Sequence, residues 1–159
     1  MRQYTSRRGE KCLTQNVKKQ FEELQSLLER AMALQTSMVL FEWDDETLAP
    51  KGAAEHTARV IGSLSEQYQE ILASMRFKEL LDICQKAEKE NVGIFDEVQS
   101  AILREAAEEQ ERLSCIPPEE YRAYAELTAR ATGIWTRARE KNDFASFAPV
   151  LKEIISYQK

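Results

Sequence analysis

Four carboxylates flank a tryptophan within the stretch LFEWDDETLAPKGAAEH, which spans residues 40–56. They belong to Glu42, Asp44, Asp45 and Glu46. Carboxylate oxygens are the ligands that Mg²⁺ and Ca²⁺ prefer, and paired carboxylates can also act as general acid and base. The stretch has neither the spacing of an EF-hand loop nor a glycine at its turn position. A carboxylate-only cation site therefore stands as an alternative to a purely structural role.

The single histidine, His56, limits the metal chemistry that this chain can do. A zinc site of the HExxH kind needs two imidazoles one helical turn apart, and a di-iron bundle needs two carboxylate-x-x-His pairs. His56 has no glutamate three residues before it and no second histidine. Both sites are excluded as self-contained constructions, and we predict no catalytic residue and no metal ligand in this chain.

Known nucleotide-binding and hydrolase motifs do not occur either. The patterns GxxxxGK[ST], GxGxxG and GxSxG are all absent from the sequence. Phosphate-binding loops and nucleophile elbows depend on these glycines, so neither is supported. The residues of this chain therefore predict a domain without a complete active site.

Charge and hydropathy exclude two classes of partner. The 159 residues carry a net charge of -5 that is spread along the chain, so there is no basic patch for a nucleic acid backbone. No apolar run approaches the roughly 20 residues that cross a bilayer. We expect one domain that binds neither nucleic acid nor membrane.

The cysteines are expected to be reduced. Cys12, Cys84 and Cys115 are odd in number, far apart and in no CxxC pair, which argues against disulfides and against a zinc knuckle. Reduced, structural thiols are expected. A cytoplasmic location is expected because residues 1–16 lack the apolar region of a signal peptide.

Apolar residues recur every three or four positions, and this spacing predicts helices only. We predict an all-α fold, an antiparallel bundle of about five or six helices. A flexible lead-in over residues 1–15 precedes a long first helix of about 28 residues. Its predicted apolar stripe consists of Phe21, Leu24, Leu28, Ala31, Leu34, Met38 and Phe41.

The remaining helices follow from breaks at proline, glycine and asparagine. The second is predicted to bury Val60, Leu64, Tyr68, Ile71 and Met75. The third is predicted over residues 77–90, and the fourth from about Ile94 to Leu113 with Val98 and Ile102 inward and Leu103 as a further candidate. The fifth starts near Pro118 and is predicted to bury Tyr121, Tyr124, Leu127, Ala131, Ile134, Trp135 and Ala138. A turn at FASFA then leads to a last helix that starts near Pro149. That helix has no stop signal before Lys159, so the chain is expected to be truncated within an element.

Trp43 and the acids around it pose an electrostatic problem. A helix that ended at Trp43 would place four acids at its negative end, at a cost of about 0.3–1 kcal/mol each. We therefore predict that the helix runs on or that the acids cap the next element, with Lys51 and Arg59 as available cations. Trp43 is expected to pack on a neighbouring helix with its indole N–H bonded.

Two stretches carry a family resemblance. LFEWDDETLAPKGAAEH resembles the L-E-W-D-x-E-T-x-x-P-x-G-A segment of the thermostable metallocarboxypeptidases of the carboxypeptidase Taq type. ATGIWTRAREKNDFASFAPVLKEII resembles the same family's W-x-x-A-R-x-x-N-D-F-x-x-F-x-P-x-L segment. The resemblance covers about residues 18–159 and implies that residues 16–159 form the family's N-terminal helical domain.

The resemblance implies scaffold positions and no catalytic ones. The matched positions are Glu42, Trp43, Asp44, Glu46, Thr47, Pro50, Gly52, Trp135, Ala138, Arg139, Asn142, Asp143, Phe144, Phe147, Pro149 and Leu151. In that family the metal, zinc or cobalt, is held by downstream motifs that have no counterpart here. Asn142 and Asp143 are expected to stop one helix and cap the next, with Phe144 and Phe147 closing the junction. Arg139 is expected to pair with the acidic stretch.

The resemblance favours one function over two alternatives. The chain would form one wall of the peptide cleft of a carboxypeptidase that releases C-terminal residues, and it would be inactive alone. A peptide would bind only to the full-length protein. The first alternative is a stand-alone interaction module that forms a homodimer through an exposed apolar helix face. The second is a helical enzyme that uses its own carboxylates.

Overall fold

The computed structural model describes residues 14–50, 52–91 and 93–157, together with the backbone of residues 2–13. Six helices account for most of this part of the chain, and no strand occurs in it. They are α1 (Arg2–Thr47), α2 (Ala54–Leu72), α3 (Met75–Glu90), α4 (Glu97–Ser114), α5 (Pro118–Glu140) and α6 (Phe144–Ser156). The predicted all-α class is confirmed, and so is the long first helix.

The first helix is longer than its apolar stripe predicted. It has 46 residues, and its side chains are described from Thr14 onward. The stripe is buried at Phe21, Leu24 and Ala31, whereas Phe41 is exposed. The predicted lead-in and Cys12 lie at or beyond the edge of the described residues, and the flexibility of residues 1–15 stays a prediction.

The chain divides into two compact units, and α1 contributes to both. Unit 1 consists of Met1–Ala31 and Ile71–Cys115. Its core joins Phe21 of α1 to Phe95, whose ring centroids are 5.0 Å apart. Phe77 and Leu80 of α3 and Leu103 of α4 complete this core with almost no exposed surface.

Local hydrogen bonds set the helix ends in unit 1. The Ser74 hydroxyl accepts the Phe77 N–H at 3.2 Å and starts α3. Asp96 starts α4 with a reciprocal capping box, in which the Gln99 N–H donates to Asp96 Oδ1 at 2.8 Å. Helix α4 therefore begins three residues after the predicted Ile94. Val98, which was predicted to face inward, is exposed.

Unit 2 consists of Met32–Glu70 and Ile116–Lys159. Its buried face on α2 is displaced from the predicted apolar stripe and includes two polar residues, Ser65 and Gln69. The Ser65 hydroxyl donates to the Met38 sulfur at 3.1 Å, and Gln69 Nε2 donates to the Ile116 carbonyl at 2.5 Å. These bonds give partners to the Ser65 hydroxyl and to Gln69 Nε2, which a hydropathy pattern assigns to solvent.

The residues predicted for this stripe are less buried than expected. Val60, Leu64, Tyr68 and Ile71 are half-buried, and Met75, which belongs to α3 and not to α2, is exposed. Within the described residues, none of the six helices is long and apolar enough to cross a membrane.

Candidate functional site

The acidic stretch occupies the last turns of α1. The helix runs past Trp43 to Thr47, as predicted. It ends where the Asp44 carbonyl accepts the N–H groups of both Leu48 and Ala49 at 2.9 Å. The last turn holds no basic residue. The acids therefore oppose the helix dipole, which favours cations at this end.

A short turn connects α1 to α2. The Pro50 carbonyl accepts the Ala53 N–H at 2.8 Å, and the Ala53 carbonyl accepts the N–H groups of His56 and Thr57 in the first turn of α2. A side chain at Gly52 would meet no atom within 4 Å. Lys51, one of the predicted cations, lies outside the described residues.

Trp43 does not pack as predicted, because 59% of its surface is exposed. Every side chain from Val39 to Asp44 is exposed, so this part of α1 has no helical neighbour around most of its circumference. Unit 2 of the described chain provides no surface that covers the indole.

The four carboxylates point into different spaces. Glu42, Asp45 and Glu46 line a groove of about 270 Å³, together with Thr57 of α2 and Thr128 of α5. Asp44 lines a separate recess beside Ser37 and Phe41. Successive helical residues differ by about 100° in direction, and this separates position 44 from its neighbours.

The cation site considered from the sequence is therefore not formed by these carboxylates. No three His, Cys, Asp or Glu side chains converge anywhere in the described residues. His56 is exposed on α2. The donor set of this chain does not fit the transition metal of a peptidase, which requires imidazoles that converge with a carboxylate.

Arg139 shares a groove with the acidic stretch without binding it. Asp45, Glu46, Trp135 and Arg139 line a space of about 770 Å³. Among the described residues, the ion pairs within 4.0 Å include none between Arg139 and these carboxylates. The predicted salt bridge is absent, and the four acids pair with no described cation.

Asn142 and Asp143 form the junction between α5 and α6 as predicted. Asn142 has a left-handed backbone with φ of 51°, and its N–H donates to the Arg139 carbonyl at 3.2 Å. The Asp143 N–H donates to the Ala138 carbonyl at 2.8 Å. This pair of bonds is a Schellman motif, which ends α5. Asp143 Oδ1 then accepts the Ser146 N–H at 3.3 Å and caps α6.

Two phenylalanines follow this junction. The Phe147 ring lies 5.1 Å from the Trp135 indole, centroid to centroid, whereas Phe144 is mostly exposed and touches Phe147 by its edge. Phe147 thus closes the junction and Phe144 does so only in part.

The start of α6 differs from the prediction. The helix begins at Phe144, so FASFA is helical and Pro149 lies inside the helix. Proline removes one N–H and disfavours a helix interior. The Asp143 cap nevertheless starts the helix five residues before the predicted start at Pro149. The proline removes one backbone hydrogen bond, the one that an N–H at position 149 would donate to the Ala145 carbonyl.

An ion-pair network between α2 and α5 was not predicted from the sequence. Arg122 donates to Glu66 at 2.8 Å and to Glu126 at 3.0 Å. These hydrogen bonds raise the pKa of the Arg122 guanidinium. The i,i+4 spacing of Arg122 and Glu126 could have predicted the ion pair between these two residues. The Glu66 contact is long-range and left no local signal.

Comparison with known proteins assigns the family. The profile of the carboxypeptidase Taq (M32) metallopeptidases matches residues 23–159. The chain belongs to this metallopeptidase family. Carboxypeptidase 1 of Bacillus subtilis is 34% identical over 137 residues, which are 86% of this chain and 26% of that protein. Thermostable carboxypeptidase 1 of Pyrococcus furiosus is 30% identical over 82% of this chain and 25% of that protein.

Solved structures agree. The crystal structure of BsuCP superimposes with a TM-score of 0.82 at 32% identity, over 87% of this chain and 27% of that chain. Trypanosoma cruzi metallocarboxypeptidase 1 superimposes with a TM-score of 0.64 at 28% identity. The chain spans about a quarter of the length of the relatives that it matches.

Proposed function

We propose that this chain forms the N-terminal helical wall of the peptide cleft in a metal-dependent carboxypeptidase. The chemistry would belong to the rest of the full-length family member, which would hold zinc or cobalt and release C-terminal residues from peptides. The chain itself would supply scaffold and would not hydrolyse peptides. A peptide partner is expected only for the full-length protein.

One observation carries this proposal. The fold of this chain recurs with a TM-score of 0.82 inside a longer chain, of which it covers 27%, while the described residues bring no three metal-ligating side chains together. A region with the family's fold but without its donors is best explained as a supporting part. The same role explains why the motif residues serve helix ends and packing, as at Asn142 and Asp143.

An exchange experiment tests the proposal. Residues 23–159 would replace the matched region of B. subtilis carboxypeptidase 1, and the release of a C-terminal residue from a peptide would be measured. We expect the chimera to retain activity within about tenfold of the parent, because the exchanged wall has the same fold. The control is the parent without the matched region, which should be inactive. A chimera that binds metal and remains folded but releases no residue would contradict the proposal.

We also propose a cytoplasmic location. Cys84 and Cys115 are free thiols, which is typical of a reducing compartment. Fractionation of the native host, with antibodies against this chain, would test this location.

A further inference from the structure

The C-terminal part of α1 and the residue that follows it expose large apolar side chains. Four of them are more than half exposed, with 74% at Leu48. Val39 and Trp43 are four residues apart and therefore share one face of the helix. Single exposed apolar residues are normal on a protein, but a contiguous group of this kind marks an interaction site. We define the α1-end surface as these apolar residues and three neighbouring acids: Val39, Leu40, Glu42, Trp43, Asp44, Glu46 and Leu48.

The charges on this surface argue against a second copy as its occupant. A two-fold interface brings the same patch of both protomers together. The carboxylates at its two edges, Glu42 and Glu46 on one side and Asp44 on the other, would then be crowded by those of the second copy, and no described cation pairs with any of them. The last turn of α1 holds no basic residue to relieve the repulsion. The surface fits an apolar partner that is rimmed by lysine or arginine.

The length of the relatives identifies that partner. About three quarters of each matched relative lies outside the region that this chain covers, since the shares are 26% and 27%. An exposed indole beside carboxylates that pair with no described cation suits a covering surface with an apolar centre and basic groups around it. The proposed function, on which this inference rests, requires such a covering surface.

We propose that the α1-end surface is the docking site for the catalytic part of the full-length carboxypeptidase, which receives Trp43 in an apolar socket with basic residues around its rim. Docking orients the helical wall towards the cleft. Docking also explains why acids occur at the negative end of α1, because the basic residues around the socket would offset the unfavourable interaction with the helix dipole.

The chimera with B. subtilis carboxypeptidase 1 and the 159-residue chain together test this docking. Trp43→Ser should change the melting temperature of the 159-residue chain by less than about 1 °C, because the indole is already exposed, but should lower that of the chimera by about 5 °C. Val98→Ser is the matched control, since Val98 is 68% exposed and lies outside the α1-end surface. It should leave both proteins within about 1 °C of their parents. Glu46→Lys tests the acidic edge of the surface. It should lower the melting temperature of the chimera but not that of the 159-residue chain, and the loss should be smaller at high salt.

The outcomes separate this inference from the proposed function. An active chimera in which Trp43→Ser behaves like Val98→Ser overturns the docking and leaves the function intact. A folded but inactive chimera that loses stability with Trp43→Ser, and not with Val98→Ser, overturns the function and retains the docking.

A second measurement needs only this chain. In a Trp135→Phe background, acrylamide should quench the fluorescence of Trp43 fully, and light scattering should give a monomer. An exposed Trp43 in a monomer supports a surface that another part of the enzyme covers. A dimer that Trp43→Ser dissociates would overturn the proposal in favour of self-association, which is the homodimer that the sequence alone suggested.

Discussion

The indole of Trp135 and the ring of Phe147 lie 5.1 Å apart at an interplanar angle of 55°, and this contact joins α5 to α6. Both residues belong to the second family motif. Between them, Asn142 ends one helix and Asp143 starts the next. The motif therefore encodes a helical hairpin, with a turn at its centre and an aromatic contact across it.

Removal of this contact should destabilise unit 2. Phe147→Ala is expected to cost about 1–2 kcal/mol, below the roughly 3–5 kcal/mol of a fully buried phenylalanine, because Phe147 is only half-buried. Phe144→Ala is the matched control and should cost less than about 0.5 kcal/mol, since Phe144 is 60% exposed. Urea denaturation measures both. Equal costs for the two variants would show that the Trp135 contact does not hold the hairpin.

Gly62 permits the close approach of α2 and α5. A Cβ at this position would overlap the Glu126 side chain near its own backbone. Alanine favours a helix over glycine by about 1 kcal/mol, yet Gly62→Ala should destabilise by about 1–3 kcal/mol through overpacking. A double-mutant cycle with Glu126→Ala should recover most of the loss. The control is Gly52→Ala, where the space is open. Full additivity in the cycle would contradict the predicted overlap.

Unit 1 should lose stability in acid through Glu23. Hydrogen bonds from Arg76 lower the pKa of this carboxyl from its ordinary value of 4.5, and Arg76 Nη2 lies 2.7 Å from Glu23 Oε2. Because the folded pKa is the lower one, the stabilisation is complete well above pH 4.5 and is lost as the pH falls through the folded pKa. Melting temperatures between neutral and acidic pH should therefore fall less steeply in Glu23→Gln than in the parent. Glu22→Gln is the control, and parallel curves for Glu23→Gln and the parent would refute the linkage.

The two described cysteines should differ in reactivity. Burial raises the pKa of the Cys84 thiol to about 11, so about a thousandth of it is thiolate at about pH 8. Cys115 is exposed. In a Cys12→Ser background, a thiol reagent should label one site per folded chain rapidly, and Cys115→Ser should abolish this labelling. Rapid labelling that survives in the Cys115→Ser variant would mean that Cys84 is accessible.

Most of the fold could be predicted because it depends on local signals. Apolar spacing placed the helices, and the Asn142–Asp143 pair located the end of α5 and the cap of α6. Errors arose at two helix starts, where the Asp96 and Asp143 caps set the first residue, and where a contact between helices decided which side chains are buried. Hydropathy cannot show that Ser65 and Gln69 are buried, because their partners are Met38 and the Ile116 carbonyl.

The candidate site was less predictable for a related reason. The size of the Trp43 side chain indicated packing, and the packing surface is absent from the described part of this chain. The Arg139 pair with the acidic stretch was equally a guess about geometry, and the two meet only across a groove. The exclusion of a self-contained HExxH site needed no geometry, because a chain with one histidine lacks the residue types that such a site requires.

The most direct test of the supporting role is a peptide hydrolysis assay on the purified 159-residue chain with added Zn²⁺ or Co²⁺. We expect no release of C-terminal residues above the buffer control and no metal retained after dialysis. Release by this chain alone, in proportion to a retained metal ion, would contradict the supporting role.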